Sequence, residues 1–292
     1  MTVGNLIGNC FEALKSRDLW IASLVFILVT LGSFVIFMGL GLVILYLFAL
    51  GIIATADFAV IILPAIILML VFGIIYLAIT AIAVMALLNS FKAFYEKKKL
   101  GIQKSYSLAI PLWKNGLVLA LFEIILIAVL FIVILSPAII TLFSSGTIET
   151  IINTSMTGSF DSAMESAIMP VIGLFIGLGL VFGIIILVLL PFLYLLFPTL
   201  AFEKKSVKQT INMACNAWKK NFLPSLAFVV IMLVIIVVLS TILSLIGVAL
   251  MFIPIIGWAF NLIFSLASTF ISTILSIGLI TQLYLMNKKF LK

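Results

Sequence analysis

The chain has no histidine, only two cysteines, and only nine acidic residues among 292. Each shortage removes a class of function. Without histidine, the commonest general base at neutral pH and the commonest metal ligand are both missing. Cys10 and Cys215 make no disulfide framework, and both fall in segments assigned below to the reducing side of a membrane. No phosphate loop, Cys-x-x-Cys pair, Gly-x-Ser-x-Gly elbow or paired-carboxylate arrangement is present. With 9% charged residues, the chain also lacks the charged surface that a water-soluble domain needs. Neither enzymatic activity nor a cofactor is expected.

Apolar sequence fills the space. Hydrophobic residues make up 66% of the chain, and the mean hydropathy is +1.49. A spanning helix needs about 20 predominantly apolar residues. The uncharged runs 19–56, 58–91, 124–148, 166–202 and 221–287 supply that length, the last one twice over, with a helix break at Ile253-Pro254-Ile255 and Gly257. The prediction is an all-α polytopic membrane bundle of six transmembrane helices, forming a single domain over residues 1–292. The first apolar stretch is too long for the core of a cleavable signal, so the first span is expected to remain as an anchor.

All 16 basic residues sit in four clusters: Lys15 with Arg17, Lys92 to Lys114, Lys204 to Lys220, and Lys288 to Lys292. Two helix lengths separate each cluster from the next, so every cluster reaches the same face. Basic residues in short loops mark the cytoplasmic side, which places both termini there, in a cell membrane crossed an even number of times. Glu12, Asp18, Glu96 and Glu203 accompany the bases, whereas Asp57, Glu149, Asp161 and Glu165 fall on the opposite face. Sixteen bases against four acids leave +12 inside, while the outer face carries −4. This asymmetry fits topology and anionic-lipid contact better than nucleic-acid binding.

The clusters also expose an internal repeat. A short polar helix precedes each odd span, with a stripe at Val3, Ile7, Cys10, Leu14, then Ile102, Tyr106, Ala109, Trp113, then Val207, Ile211, Ala214, Trp218. The i, i+4, i+7, i+11 spacing puts each stripe on one side of an α-helix able to lie on the inner leaflet. Each even span opens near a proline, at Pro64, Pro170 and Pro254, where the first helical turn tolerates one. Exits are aromatic and basic: Tyr95-Glu96-Lys97-Lys98, Phe202-Glu203-Lys204-Lys205 and, more loosely, Tyr284 followed by Asn287-Lys288-Lys289. The repeats are 1–98, 99–205 and 206–292. Each holds an even number of crossings, so they run in the same direction.

The segments Ala217-Trp218-Lys219-Lys220-Asn221-Phe222 and Leu112-Trp113-Lys114-Asn115-Gly116, each ahead of a span, resemble the six-helix membrane domain fused to some bacterial glycerophosphodiester phosphodiesterases, and its stand-alone relatives. In that family the catalytic groups belong to an attached soluble domain. The resemblance therefore implies a membrane platform and no chemistry.

Two sets of residues are candidates for a site. The first is intramembrane and polar: Glu123, nine positions and about 13 Å beyond Lys114 along a helix, with the last span's Asn261, Ser265, Ser268, Ser272 and Ser276. An acid at that depth invites a functional reading, with pairing to a lysine as the alternative. The serine stripe either lines a wet path or lets helices approach closely. The second set is basic and aromatic: Lys15, Arg17, Trp113, Lys114, Trp218, Lys219 and Lys220, placed to contact anionic headgroups. Small residues pair at Gly173 with Gly177 and at Gly179 with Gly183, a close-packing pattern. Asn153-Thr154-Ser155 matches a glycosylation acceptor, and the outer acids would need to converge to hold a metal. The sequence favours a non-enzymatic, lipid-contacting or partner-organising membrane domain, its partners being membrane lipids and a membrane protein or second copy. The alternative is a transporter or channel for a small solute or lipid, with a polar path near Glu123.

Overall fold

The computed structural model describes residues 3–55, 58–144, 162–251 and 257–291. Side chains at 3, 40, 44–45, 47–55, 58–65, 144, 162–168 and 250–251 fall outside that description. The described elements are α1 (Val3–Ala13), α2 (Arg17–Thr55), α3 (Phe58–Tyr95), α4 (Ile102–Ala109), a 3-10 turn (Ile110–Leu112), α5 (Trp113–Ser144), α6 (Ser162–Glu203), α7 (Val207–Lys220), α8 (Phe222–Met251), α9 (Gly257–Asn287) and a final 3-10 turn (Lys288–Phe290). No strand occurs among the described residues. Helices α2, α3, α5, α6, α8 and α9 are long and apolar enough to cross a membrane. The chain is an all-α polytopic helix bundle, and the order short helix, long helix, long helix occurs three times.

Local chemistry explains several boundaries. Ser206 accepts a hydrogen bond from the Gln209 amide while the Gln209 side chain accepts from the Ser206 amide, a reciprocal cap that starts α7. Lys97 and Lys204 adopt positive φ of 55° and 51° just past the ends of α3 and α6. Glycine takes this conformation at less cost. Lysine instead brings a positive charge to the C-terminal end of the helix, where the dipole favours it. The two lysines occupy matching places in Tyr95-Glu96-Lys97 and Phe202-Glu203-Lys204.

Two expectations about proline are corrected. Pro64 is the seventh residue of α3 and Pro170 the ninth of α6, so neither sits in a first turn. A proline removes one backbone donor and leaves upstream turns free to form. Pro254 lies outside the described residues, as do Asp57, Glu149, Asp161 and Asn153-Thr154-Ser155.

The chain divides into two compact units, one of residues 1–120 with 191–292 and one of residues 121–190. Within the first, the core gathers where the basic clusters leave the helices. Leu19 and Ala22 from the start of α2 meet Leu87, Leu88 and Phe91 from the last turns of α3, Ile274 and Ile277 from α9, and Ala13 from α1. Each short helix buries a face made largely of small residues: Cys10 and Ala13 beside the larger Leu6 on α1, Ser105 and Ala109 on α4, Thr210, Ala214 and Ala217 on α7. This face shares only Cys10, Ala109 and Ala214 with the stripe read from the sequence. The bulkier Ile7, Tyr106, Ile211 and Trp218 are half-buried at its flank, because small side chains allow the closest approach of helix backbones.

Asn287 locks the end of α9. Fully buried, it donates to the Ser225 hydroxyl at 3.0 Å and the Leu283 carbonyl at 2.9 Å, and accepts from the Asn221 amide at 3.0 Å. Cys10 is buried too, and burial pushes its thiol up to about 12. A neutral buried thiol is inert. In the folded protein a maleimide should therefore modify half-buried Cys215 and spare Cys10, with both reacting in detergent that unfolds the chain. Equal rates in the native state would mean that α1 is undocked.

In the second unit Leu135, Ala138 and Val171 are buried, and Phe131 meets Phe182 edge to face at 5.6 Å. The close-packing expectation for Gly173, Gly177, Gly179 and Gly183 is not met: among the described residues no heavy atom lies within 4 Å of an added Cβ at any of them. Tight glycine positions occur in the first unit instead: at Gly116 an added Cβ would meet Ala81 Cβ at 3.3 Å and the tip of Met85 at 2.8 Å. Gly116→Val should cost about 1–3 kcal/mol by overpacking, whereas Gly177→Ala should be neutral or gain up to about 1 kcal/mol in helix propensity. Thermal unfolding in detergent checks the contrast.

Candidate functional site

The last turn of α3, the start of α4 and the end of α6 border an open cavity of about 430 Å³. Lys92, Lys98, Lys99, Lys104 and Lys204 line it, with Glu96 the one carboxylate. Each lysine arrives for a local reason. Lys92 projects from the last turn of α3, Lys98 and Lys99 belong to the connector that follows it, Lys104 lies in the first turn of α4, and Lys204 follows α6 in its left-handed cap. A buried hydrogen bond of 2.8 Å between Ser90 and Ser105 joins α4 to α3, and Asn89 reaches the Ser105 carbonyl at 3.5 Å.

Charge within this cavity is unbalanced. Glu96 is bound to Lys98 at 2.7 Å, and that ammonium holds its carboxyl below the usual carboxylate range. Lys92 has no carboxylate within ion-pair distance among the described residues. Its ammonium instead lies 4.5 Å from the ring centre of Phe202 and 6.0 Å from that of Tyr284, where aromatic faces attract a cation. Tyr284 in turn donates its hydroxyl hydrogen to Glu203, which fixes the ring edge-on to Phe202 at 4.7 Å. Five lysines line the space against one carboxylate, and Lys98 is the one engaged with it, so the lining carries a net positive charge.

The residues singled out in the sequence fall elsewhere. Lys15, Arg17, Lys114, Lys219 and Lys220 are exposed, and none lines this cavity. Trp113 is exposed with the Lys114 ammonium 5.7 Å from its ring. Trp218 is half-buried and packs between Phe192 and Phe222, at ring-centre distances of 6.2 and 5.7 Å. Glu123 belongs to the second unit and is half-buried, with neither ion pair nor hydrogen bond among the described residues. Asn261 and Ser272, in the first unit, lie on the seam of α8 and α9: the Asn261 carbonyl oxygen would be 2.7 Å from a Cβ on Gly247, and Ser272 bonds Ser240 at 2.8 Å. Ser265 is exposed and Ser268 and Ser276 are half-buried. The stripe therefore brings helices together at two of its positions, as small polar residues commonly do in bilayers.

Sequence reasoning missed the converging lysines. The signal was present in the density of bases from Lys92 to Lys104 and in the matched exits at Lys97 and Lys204. No group of three or more metal-ligating side chains occurs among the described residues. No protein-family model matches the chain, and neither does any curated protein or solved structure to a significant degree.

Proposed function

We propose that this integral membrane protein is a non-enzymatic, lipid-organising domain that holds the headgroup of an anionic phospholipid on the cytoplasmic face of a prokaryotic membrane. The presence of five lysines in the lining of one pocket carries the reading. Scattered bases would suffice to orient the chain, whereas a phosphate site needs several of them around one space. Sidedness follows from the sequence, because all the basic clusters lie on segments separated by an even number of spans. The platform reading also agrees with the resemblance of the Trp-Lys segments to the membrane domain of glycerophosphodiester phosphodiesterases, which carries no catalytic group of its own.

Titration of the delipidated protein with phosphatidylglycerol and with phosphatidylcholine, followed by native mass spectrometry, tests the reading. Preferential retention of phosphatidylglycerol that weakens as salt rises is expected. Equal retention of the two lipids would reject it.

A further inference from the structure

The lysine cavity has a neighbour. A second cavity, of about 370 Å³, lies between the start of α2, the last turns of α3 and the connector that leads to α4. The two share Ala93, Lys98, Lys99 and Leu100, so the connector is a common wall. Their linings differ in charge: lysines dominate the first, while the second carries only the two shared lysines and Asp18. The second presents Leu19, Ile21, Ala22, Phe94, Leu100 and Ile102 beside Ser16 and Ser90. Asp18 also lines it and opposes the two shared lysines, so a phosphate is better accommodated next door.

Apolar surface continues from this second cavity. Beyond Ile21, the exposed Leu24, Leu28, Leu31 and Val35 follow in steps of three and four residues along α2, which keeps them on one face of the helix. A ligand that suits both spaces joins a compact anion to a hydrocarbon chain across the width of one connector. Inorganic phosphate or a soluble phosphate ester would fill the first space and leave the second without an occupant.

We infer that the paired cavities bind one phospholipid molecule, its phosphate among the lysines and the head of an acyl chain against Ile21 and the ridge of α2. This rests on the headgroup reading of the lysine cavity. It adds that recognition extends to the chain, so a diacyl lipid is held and free phosphate is not retained comparably.

Ile21 offers the test because it is 39% exposed and lies outside the tightly packed core. The purified full-length protein, with Ile21→Glu and Ile21→Trp variants, is titrated with phosphatidylglycerol by native mass spectrometry and with inorganic phosphate by phosphorus NMR. Both variants are expected to lose tenfold or more in phosphatidylglycerol retention with phosphate binding unchanged. The charged variant opposes the chain and the bulky one fills its space, so if one shifts the unfolding midpoint the other decides. Wild-type lipid retention in the folded variants would overturn the inference, as would a parallel loss of phosphate binding. A Lys92→Gln, Lys104→Gln protein run alongside separates the two readings: if it loses lipid while the Ile21 variants do not, the headgroup site stands and the chain site falls. If none of the variants loses lipid, both readings fall.

Discussion

Replacing Lys92, Lys104 and Lys204 together by glutamine is expected to lower phosphatidylglycerol affinity on the order of 100-fold, with phosphatidylcholine retention unchanged. Each lysine near an anionic headgroup contributes about 1 kcal/mol, and each 1.4 kcal/mol is a factor of ten. Three lysines therefore account for roughly two decades. Lys104 and Lys204 are exposed, which keeps their share near that figure, while Lys92 is half-buried over Phe202. A control with the same loss of charge, Lys15, Lys219 and Lys220 to glutamine, removes bases that do not line the cavity. It should change affinity several-fold at most. Equal losses from the two triple variants would show a diffuse surface charge in place of a site. Raising salt to about 1 M shrinks the Debye length to about 3 Å and should compress the difference between the triple variant and wild type.

Leu88→Ala is expected to cost about 2–5 kcal/mol of stability, and Leu28→Ala less than about 0.5 kcal/mol. The two leucines are chemically identical and both lie in spanning helices. Leu88 is 0% exposed in the cluster with Leu19, Phe91 and Ile274, so its truncation leaves a cavity that packed neighbours cannot fully close. Leu28 is 58% exposed. In a bilayer its neighbours are lipid tails as apolar as itself, and removing it sacrifices little. Thermal unfolding of the two variants in the same detergent measures the contrast. Comparable destabilisation would mean that the remote halves of the helices are packed as tightly as the ends that meet the short helices.

Much of the fold was legible along the chain. The runs 58–91 and 166–202 became α3 and α6, because twenty or more apolar residues have no alternative in hydrocarbon to a helix that satisfies its own backbone. Helix α5 begins at Trp113, ahead of the run 124–148, since the helix also carries the polar interface residues Lys114 and Asn115. Side-chain partnership was less legible. The stripe through Ile7, Tyr106 and Ile211 identified short helices but not their buried face, which depends on what packs against them. Glycine spacing in α6 suggested a packed surface where the structure leaves Gly173 and Gly177 open, because a spacing rule describes one helix and says nothing of the second. Lys92 and Phe202, more than a hundred residues apart, meet through packing of α3 and α6 ends.

The sequence by itself determined six helices long and apolar enough to cross a membrane, and its charge pattern predicts that their basic ends share one side, since hydropathy and charge act on each segment separately. Only the tertiary structure decided that Lys92, Lys104 and Lys204 line one cavity and that a second, less basic cavity adjoins it. Convergence is a property of distances between segments, and those are fixed by small-residue packing, the buried Ser90 to Ser105 bond and the left-handed turn at Lys204 rather than by any local pattern.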